Sequence, residues 1–122
     1  MNDRTLPEFY IISGVTKKHD YTGELHSDML VSQKPYRVVK GCYKGIKELA
    51  FLVYGMNRTM MLLLMVKYNQ DSILYVDNER RATLLYQDGR IEYIGIFKNV
   101  SEERALREFA YTELDGRYFI CE

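Results

Sequence analysis

The stretch YRVVKGCYKGIKELAFLVY, residues 36–54, decides how the chain is read. Tyr36 to Tyr43 is rich enough in β-branched and aromatic residues to be a strand. Glu48 to Tyr54 has an apolar centre, Ala50 to Val53, and reads as the next strand. Lys44, Gly45, Ile46 and Lys47 make a four-residue connection, so the pair reads as an antiparallel hairpin. With the turn centred on Gly45 and Ile46, Tyr43 and Glu48 face each other across the strands, their Cβ atoms roughly 5 Å apart. A phenol donor then sits beside a carboxylate acceptor, and the small side chain of Ala50 leaves room next to them. A routine cross-strand pair at a sheet edge explains the same arrangement, and both readings stay open at this point.

Outward from the hairpin, the pattern predicts further elements. Phe9 to Ile12 is a near-continuous apolar run and reads as an interior strand. Val15 to Glu24 is polar and reads as a loop. Leu25 to Gln33 is ambiguous in pattern, with Ser27 a candidate cap for a short helix through Met29, Leu30 and Val31. On the other side, Asn57 is a suitable cap for a helix over Arg58 to Tyr68. Apolar side chains wrap most of its circumference, so it is expected to be largely buried, partly against another subunit. Strands follow at Ser72 to Val76, Ala82 to Tyr86 and Arg90 to Phe97. Asp88-Gly89 is a turn signal, and Gly95 marks a bulge or a close approach. Ser101 caps an acidic-led helix over Glu102 to Phe109. After the Asp115-Gly116 turn, Tyr118 to Cys121 is a last strand, or a tail that crosses to a neighbour.

The expected class is therefore α/β in the α+β sense, a mostly antiparallel sheet with helices packed on one side. At 122 residues the whole chain is expected to be a single domain. Seventeen basic and seventeen acidic side chains cancel, so bulk charge points neither to nucleic acid nor to a membrane surface. The N-terminus lacks a signal-peptide hydrophobic segment. The longest apolar run, Met60 to Val66, is far short of the roughly 20 residues that span a bilayer. Two lone cysteines, Cys42 and Cys121, make neither a disulfide scaffold nor a zinc set. They read as small buried residues, compatible with a reducing cytoplasm. His19 and His26 are spaced for one helix face, but Gly23 and its polar surroundings argue against a helix there. They read as loop histidines, and no metal site is expected. Gln70 and Asp71 form a second polar group at a helix-to-strand junction, where capping explains them as well as ligand binding does.

The hairpin pieces Gly41-Cys42-Tyr43 and Glu48-Leu49-Ala50-Phe51-Leu52-Val53 belong to a longer ordered series. It continues through Gln70-Asp71-Ser72-Ile73-Leu74-Tyr75-Val76, Ala82-Thr83-Leu84-Leu85-Tyr86, Gly95-Ile96-Phe97-Lys98-Asn99-Val100 and Leu114-Asp115-Gly116-Arg117. In that order and approximate spacing the chain resembles the phage-encoded S-adenosylmethionine lyases, formerly described as hydrolases. The resemblance implies a PII-like α/β sandwich assembled as a homotrimer, with active sites between subunits. It implies intramolecular attack of the substrate carboxylate on Cγ, giving 5'-methylthioadenosine and homoserine lactone without a cofactor. It also implies action in the bacterial host cytoplasm, depleting S-adenosylmethionine and countering host restriction. Tyr43 and Glu48 then become the catalytic candidates, and Gln70, Asp71 and Tyr86 the substrate-binding ones. Two competing readings are a non-catalytic PII-like nucleotide sensor and a phage inhibitor that acts through protein contact.

Overall fold

The computed structural model describes residues 7–43 and 45–122. In chain order its elements are β1 (Phe9–Ser13), α1 (Thr22–Ser32), β2 (Tyr36–Tyr43), β3 (Ile46–Tyr54), α2 (Arg58–Lys67), β4 (Ser72–Val76), β5 (Arg81–Tyr86), β6 (Ile91–Val100), α3 (Glu102–Leu106), β7 (Ala110–Leu114) and β8 (Arg117–Cys121). All strand pairings are antiparallel. The class is therefore α+β, as expected. The sheet, however, is not open: its order β1-β3-β2-β7-β8-β6-β5-β4 closes on itself as an eight-stranded barrel.

Alternation along the strands sorts side chains into two cores. Inside the barrel lie Phe9, Val39, Ala50, Leu52, Val76, Ala82 and Phe97. An eight-stranded barrel is just wide enough to be filled by side chains, and here aromatic rings do much of the filling. Phe97 stacks on Phe119 at 4.9 Å and meets Phe9 edge-on at 5.3 Å. Outside it, Tyr10, Ile12, Phe51, Val53 and Ile73 pack under α1 and α2 against Leu25, Met29, Met61, Leu64 and Met65. β3 is thus covered on both faces, which explains its unbroken run of four buried residues, Ala50 to Val53. Phe51, Leu52 and Val53 each contribute on the order of 1.5–3 kcal/mol by leaving water.

The helices follow local chemistry at one end and tertiary burial at the other. The Asn57 side chain accepts from the Met60 amide at 2.7 Å, and Ser101 accepts from Arg104 at 3.1 Å, so both expected caps are present. α1 corrects the expected loop and short helix. It starts at Thr22, runs through Gly23, and uses Ser27 not as a cap but as a donor to the Gly23 carbonyl at 3.2 Å. Burial of Leu25 and Met29, one turn apart, outweighs the poor propensity of Gly23. His26 accordingly lies on a helix, with Nε2 2.7 Å from the Tyr36 hydroxyl, whereas His19 stays in the loop. One face of α2 is buried on the sheet, as expected, and the other is exposed in the single chain. Met61, Leu64 and Met65 are buried, while Met60, Leu63 and Val66 are exposed.

Closure comes from the C-terminal third. α3 stops at Leu106 instead of Phe109, and Ala110–Leu114 forms β7, a strand the sequence pattern does not announce. β7 pairs with β2, and β8 pairs with β6 and β7 of its own chain, so the C-terminal strand does not cross to a neighbour. The Asp115-Gly116 turn, with both residues at positive φ, joins β7 to β8 as a two-residue hairpin. Gly95 fulfils both expectations for it. The β5–β6 register shifts there, and the Glu122 backbone packs directly against its α-carbon.

α1 and α2 are tied by Asp28, which accepts from the Lys67 ammonium at 2.8 Å and from the Tyr68 hydroxyl. Burial pushes the Asp28 carboxyl up, but these two donors together hold it below its ordinary value. A depressed carboxyl stabilises the fold above its unfolded pKa and loses that contribution as pH falls through the folded value. Asp28→Asn is expected to cost about 0.5–1 kcal/mol at neutral pH. Its difference from the parent should shrink as pH falls below the ordinary carboxylate value and through the depressed folded one. Urea unfolding at neutral pH and in acid checks this, and an equal difference at both would contradict it.

Candidate functional site

The β2–β3 register corrects the expected face-to-face pair. Tyr43 is opposite Ile46, and Glu48 is opposite Gly41. Ile46 and Lys47 already belong to β3, so the connection is shorter than the expected four residues; Gly45 in it is at φ 79°, and Lys44 lies outside the described residues. The shorter loop moves the pairing by two residues, an even number, and therefore keeps Tyr43 and Glu48 on one face. They are diagonal neighbours, for which Cβ separations of roughly 7–8 Å or a little less are usual. Their face is the inward one, because the next pair down, Val39 and Ala50, lies in the barrel core. Above that pair stand Gly41 and Glu48, and at the rim Tyr43 and Ile46. Tyr43 is exposed at the rim, with its ring edge-on to Phe109 at 5.1 Å. Glu48 is half-buried.

Tyr86 reaches the same mouth from the opposite wall. In the ring order β5 and β6 lie across from β2 and β3. Tyr86 is two residues beyond Leu84 and four beyond the inward Ala82, and it pairs with Ser72. Its hydroxyl donates to Glu92 Oε1 at 2.7 Å, and the Arg90 guanidinium lies 4.3 Å from its ring centre. The hydrogen bond to Glu92, with burial and the Glu92 charge adding to it, pushes the Tyr86 hydroxyl above its ordinary value. The Tyr43 phenol adds to the same effect from across the mouth.

Gln70 and Asp71 lie at this end too, at the entrance to β4. Gln70 is buried, and its Nε2 donates to the carbonyls of Val15 and Tyr68 at 3.1 and 3.2 Å. Its own carbonyl accepts from the Gln87 side chain at 3.1 Å, and the Asp71 carbonyl accepts from the Gln87 amide at 2.9 Å. Gln70 therefore fastens the β1 loop and the β5–β6 turn to the end of α2. The Asp71 side chain is exposed beside it.

The five sequence-nominated residues thus gather around one end of the barrel. A cleft of about 200 Å³ between α2 and the β5–β6 hairpin is lined by Tyr86 with Arg58, Leu62, Met65, Arg90 and Ile91. A larger groove of about 470 Å³ runs between the ends of α1 and α2 and touches none of the five. Tyr43, Glu48, Gln70 and Asp71 line neither.

Glu92 was not legible as a site residue. The signal for it is parity. A three-residue loop, Gln87 to Gly89, places Tyr86 opposite Arg90 and puts Tyr86 and Glu92 on one face. Of the cysteines, Cys42 is buried in a cluster with Ala105, Tyr111 and Ile120. Cys121 lies against the barrel core, where burial pushes its thiol up to about 11, too high to supply a thiolate near neutral pH. Among the described residues, no group of three or more His, Cys, Asp or Glu side chains is placed to hold a metal ion. No described helix is long and apolar enough to cross a membrane.

No curated protein matches the chain. The family model described as the S-adenosylmethionine lyase family matches residues 16–122. That span takes in the β2–β3 hairpin, Gln70, Asp71 and Tyr86, and every element from α1 to β8. A match of this extent establishes that the chain belongs to the S-adenosylmethionine lyase family.

Proposed function

We propose that the chain is an active S-adenosylmethionine lyase that breaks its substrate by intramolecular displacement at the mouth bearing Tyr43, Glu48 and Tyr86. The carboxylate oxygen of the methionine moiety attacks Cγ of the same molecule, and the Cγ–S bond electrons pass to sulfur. The products are neutral 5'-methylthioadenosine and homoserine lactone, which keeps the ammonium group. Charge balances without a proton, a cofactor or an attacking water. What the protein has to supply is the reactive conformer, and good alignment is worth up to ~7–11 kcal/mol.

The observation that carries this reading is the shared inward face of Tyr43 and Glu48 at the open end of the barrel. The Tyr43 hydroxyl orients the amino-acid end of the substrate by hydrogen bonding. Glu48 holds the same region, directly or through water. Glu48 accelerates reaction only as far as it favours the bent, attacking geometry over the extended one, since uniform attraction for a sulfonium leaves the barrier unchanged. Gln70 fixes the loops around the mouth, and Asp71 and Tyr86 contact substrate.

A homotrimer completes the site, with the mouth of one subunit closed by the next. The open mouth supports this, as do the exposed apolar side chains Met60, Leu63, Ile91 and Tyr93. The order β1-α1-β2-β3-α2-β4 with sheet order β4-β1-β3-β2 is a split β-α-β arrangement and supports the PII-like part of the reading. The enzyme acts in the cytoplasm of a bacterial host, where loss of S-adenosylmethionine counters restriction.

Mass spectrometry of the full chain incubated with S-adenosylmethionine tests the activity. Methylthioadenosine together with homoserine lactone is the expected outcome. S-adenosylhomocysteine with a methylated acceptor would mean methyl transfer, and tight binding without products would mean a sensor.

A further inference from the structure

The barrel mouth carries two phenol–carboxylate pairs on opposite walls, of which the sequence pattern nominates one. Tyr43 and Glu48 stand on β2 and β3, and Tyr86 and Glu92 on β5 and β6. Glu92 is on the inward series of β6, opposite Leu84 and two residues before Ile94, which packs in the barrel core. Glu92 is itself exposed, at the open end of a series that continues inward to Ile94 and Phe97.

Glu92 makes no direct ion pair among the described residues, although its charge adds to that of Asp88 in raising the Arg90 guanidinium. The ion pairs among the described residues engage Asp28, Asp77, Glu79, Asp88, Glu108, Asp115 and Glu122, and neither Glu48 nor Glu92. The cation nearest in sequence, Arg90, pairs with Asp88 at 2.8 Å and lies over the Tyr86 ring instead. The Tyr86 hydroxyl holds the Glu92 carboxylate in place at 2.7 Å without neutralising it. Glu48 and Glu92 thus present two carboxylates outside direct ion pairs on opposite walls of the mouth, with Arg90 beside the second.

We propose that Glu92, positioned by Tyr86, is the charge-reading residue of this site: it makes the mouth select a cationic centre at the sulfur position over a neutral thioether. The inference rests on the lyase reading for the identity of the substrate. S-adenosylmethionine carries two cationic centres, an ammonium and a sulfonium, and the two walls supply one carboxylate for each. Glu48 serves the amino-acid end and Glu92 serves the sulfonium. After bond cleavage the sulfur is neutral, so the same residue loses its hold on methylthioadenosine and favours product release.

Two ligands that cannot undergo the reaction provide the test. S-adenosylhomocysteine has a neutral sulfur, and sinefungin carries an amine-bearing carbon in its place. Calorimetry on the full chain should show sinefungin bound more tightly than S-adenosylhomocysteine. In Glu92→Gln that preference is expected to fall about tenfold, equivalent to ~1.4 kcal/mol. Tyr86→Phe should fall in the same direction by a smaller factor, and Glu92→Asp should keep most of the preference. Unchanged thermal midpoints separate these effects from misfolding. A preference that survives Glu92→Gln intact, or failure of the parent to bind either ligand, would overturn the proposal. An absence of turnover by the parent, with the discrimination present and lost in Glu92→Gln, would overturn the lyase reading and leave the role of Glu92 standing.

Discussion

Gly95→Val is expected to destabilise the protein by about 3 kcal/mol or more, the sum of backbone strain and a clash that nothing nearby can relieve. Gly95 sits at φ 109°, a conformation closed to side chains with a β-carbon. A Cβ there would lie 2.4 Å from the carbonyl carbon of Glu122 and 2.9 Å from its amide nitrogen. Those are backbone atoms, and they are held, because Ile96 and Glu122 exchange two hydrogen bonds of 3.0 Å. The substitution would have to part β6 from the end of β8, one of the seams that close the barrel. For a domain of this size the loss corresponds to a fall of roughly 10–20 °C in Tm. Thermal unfolding checks it, with faster hydrogen exchange at the Ile96 and Glu122 amides as the local signature. Gly23→Ala is the control. It lies in α1 with nothing within 4 Å of an added Cβ, and is expected to stabilise by about 0.5–1 kcal/mol. An unchanged Tm for Gly95→Val would mean that the barrel does not close through this contact.

Glu48→Gln is expected to reduce turnover at saturating substrate on the order of a hundredfold, the scale of loss when a reacting group is misplaced by about 1 Å. The change keeps size and hydrogen-bonding capacity and removes charge. Glu48 is half-buried at the end of β3, with Gly41 as its cross-strand neighbour, so folding should be little affected. Tyr43→Phe removes only the hydroxyl and is expected to lower turnover in the same direction. Its ring contact with Phe109 is retained, and thermal midpoint and assembly state measured alongside separate lost turnover from lost folding. Turnover equal to the parent in Glu48→Gln would remove that residue from the mechanism.

What was legible in the sequence was what local chemistry decides. β1, the apolar centre of β3, the Asn57 and Ser101 caps and the Asp88-Gly89 turn each carry their signal within a few residues. The hairpin was legible as a hairpin but not in register. Ile46 and Lys47 read equally well as loop or strand, and that choice moved the partner of Glu48 from Tyr43 to Gly41. The face survived the error because the shift was even. α1 was hidden by Gly23 and its polar neighbours, and forms because Leu25 and Met29 find a buried surface on β3 and α2. Barrel closure was hidden more deeply. It depends on β7 meeting β2, some seventy residues earlier in the chain, and AYTEL has no period that announces a strand. Glu92 was missed for the same reason, since its importance lies in what faces it across the barrel.

The measurement that bears most directly on the account follows the first turnover in water enriched in oxygen-18. Internal displacement predicts methylthioadenosine and a lactone whose oxygens both come from the substrate, before any ring opening. Solvent oxygen in the freshly released four-carbon product, under conditions in which the lactone neither opens nor exchanges, would identify water as the nucleophile and contradict the account.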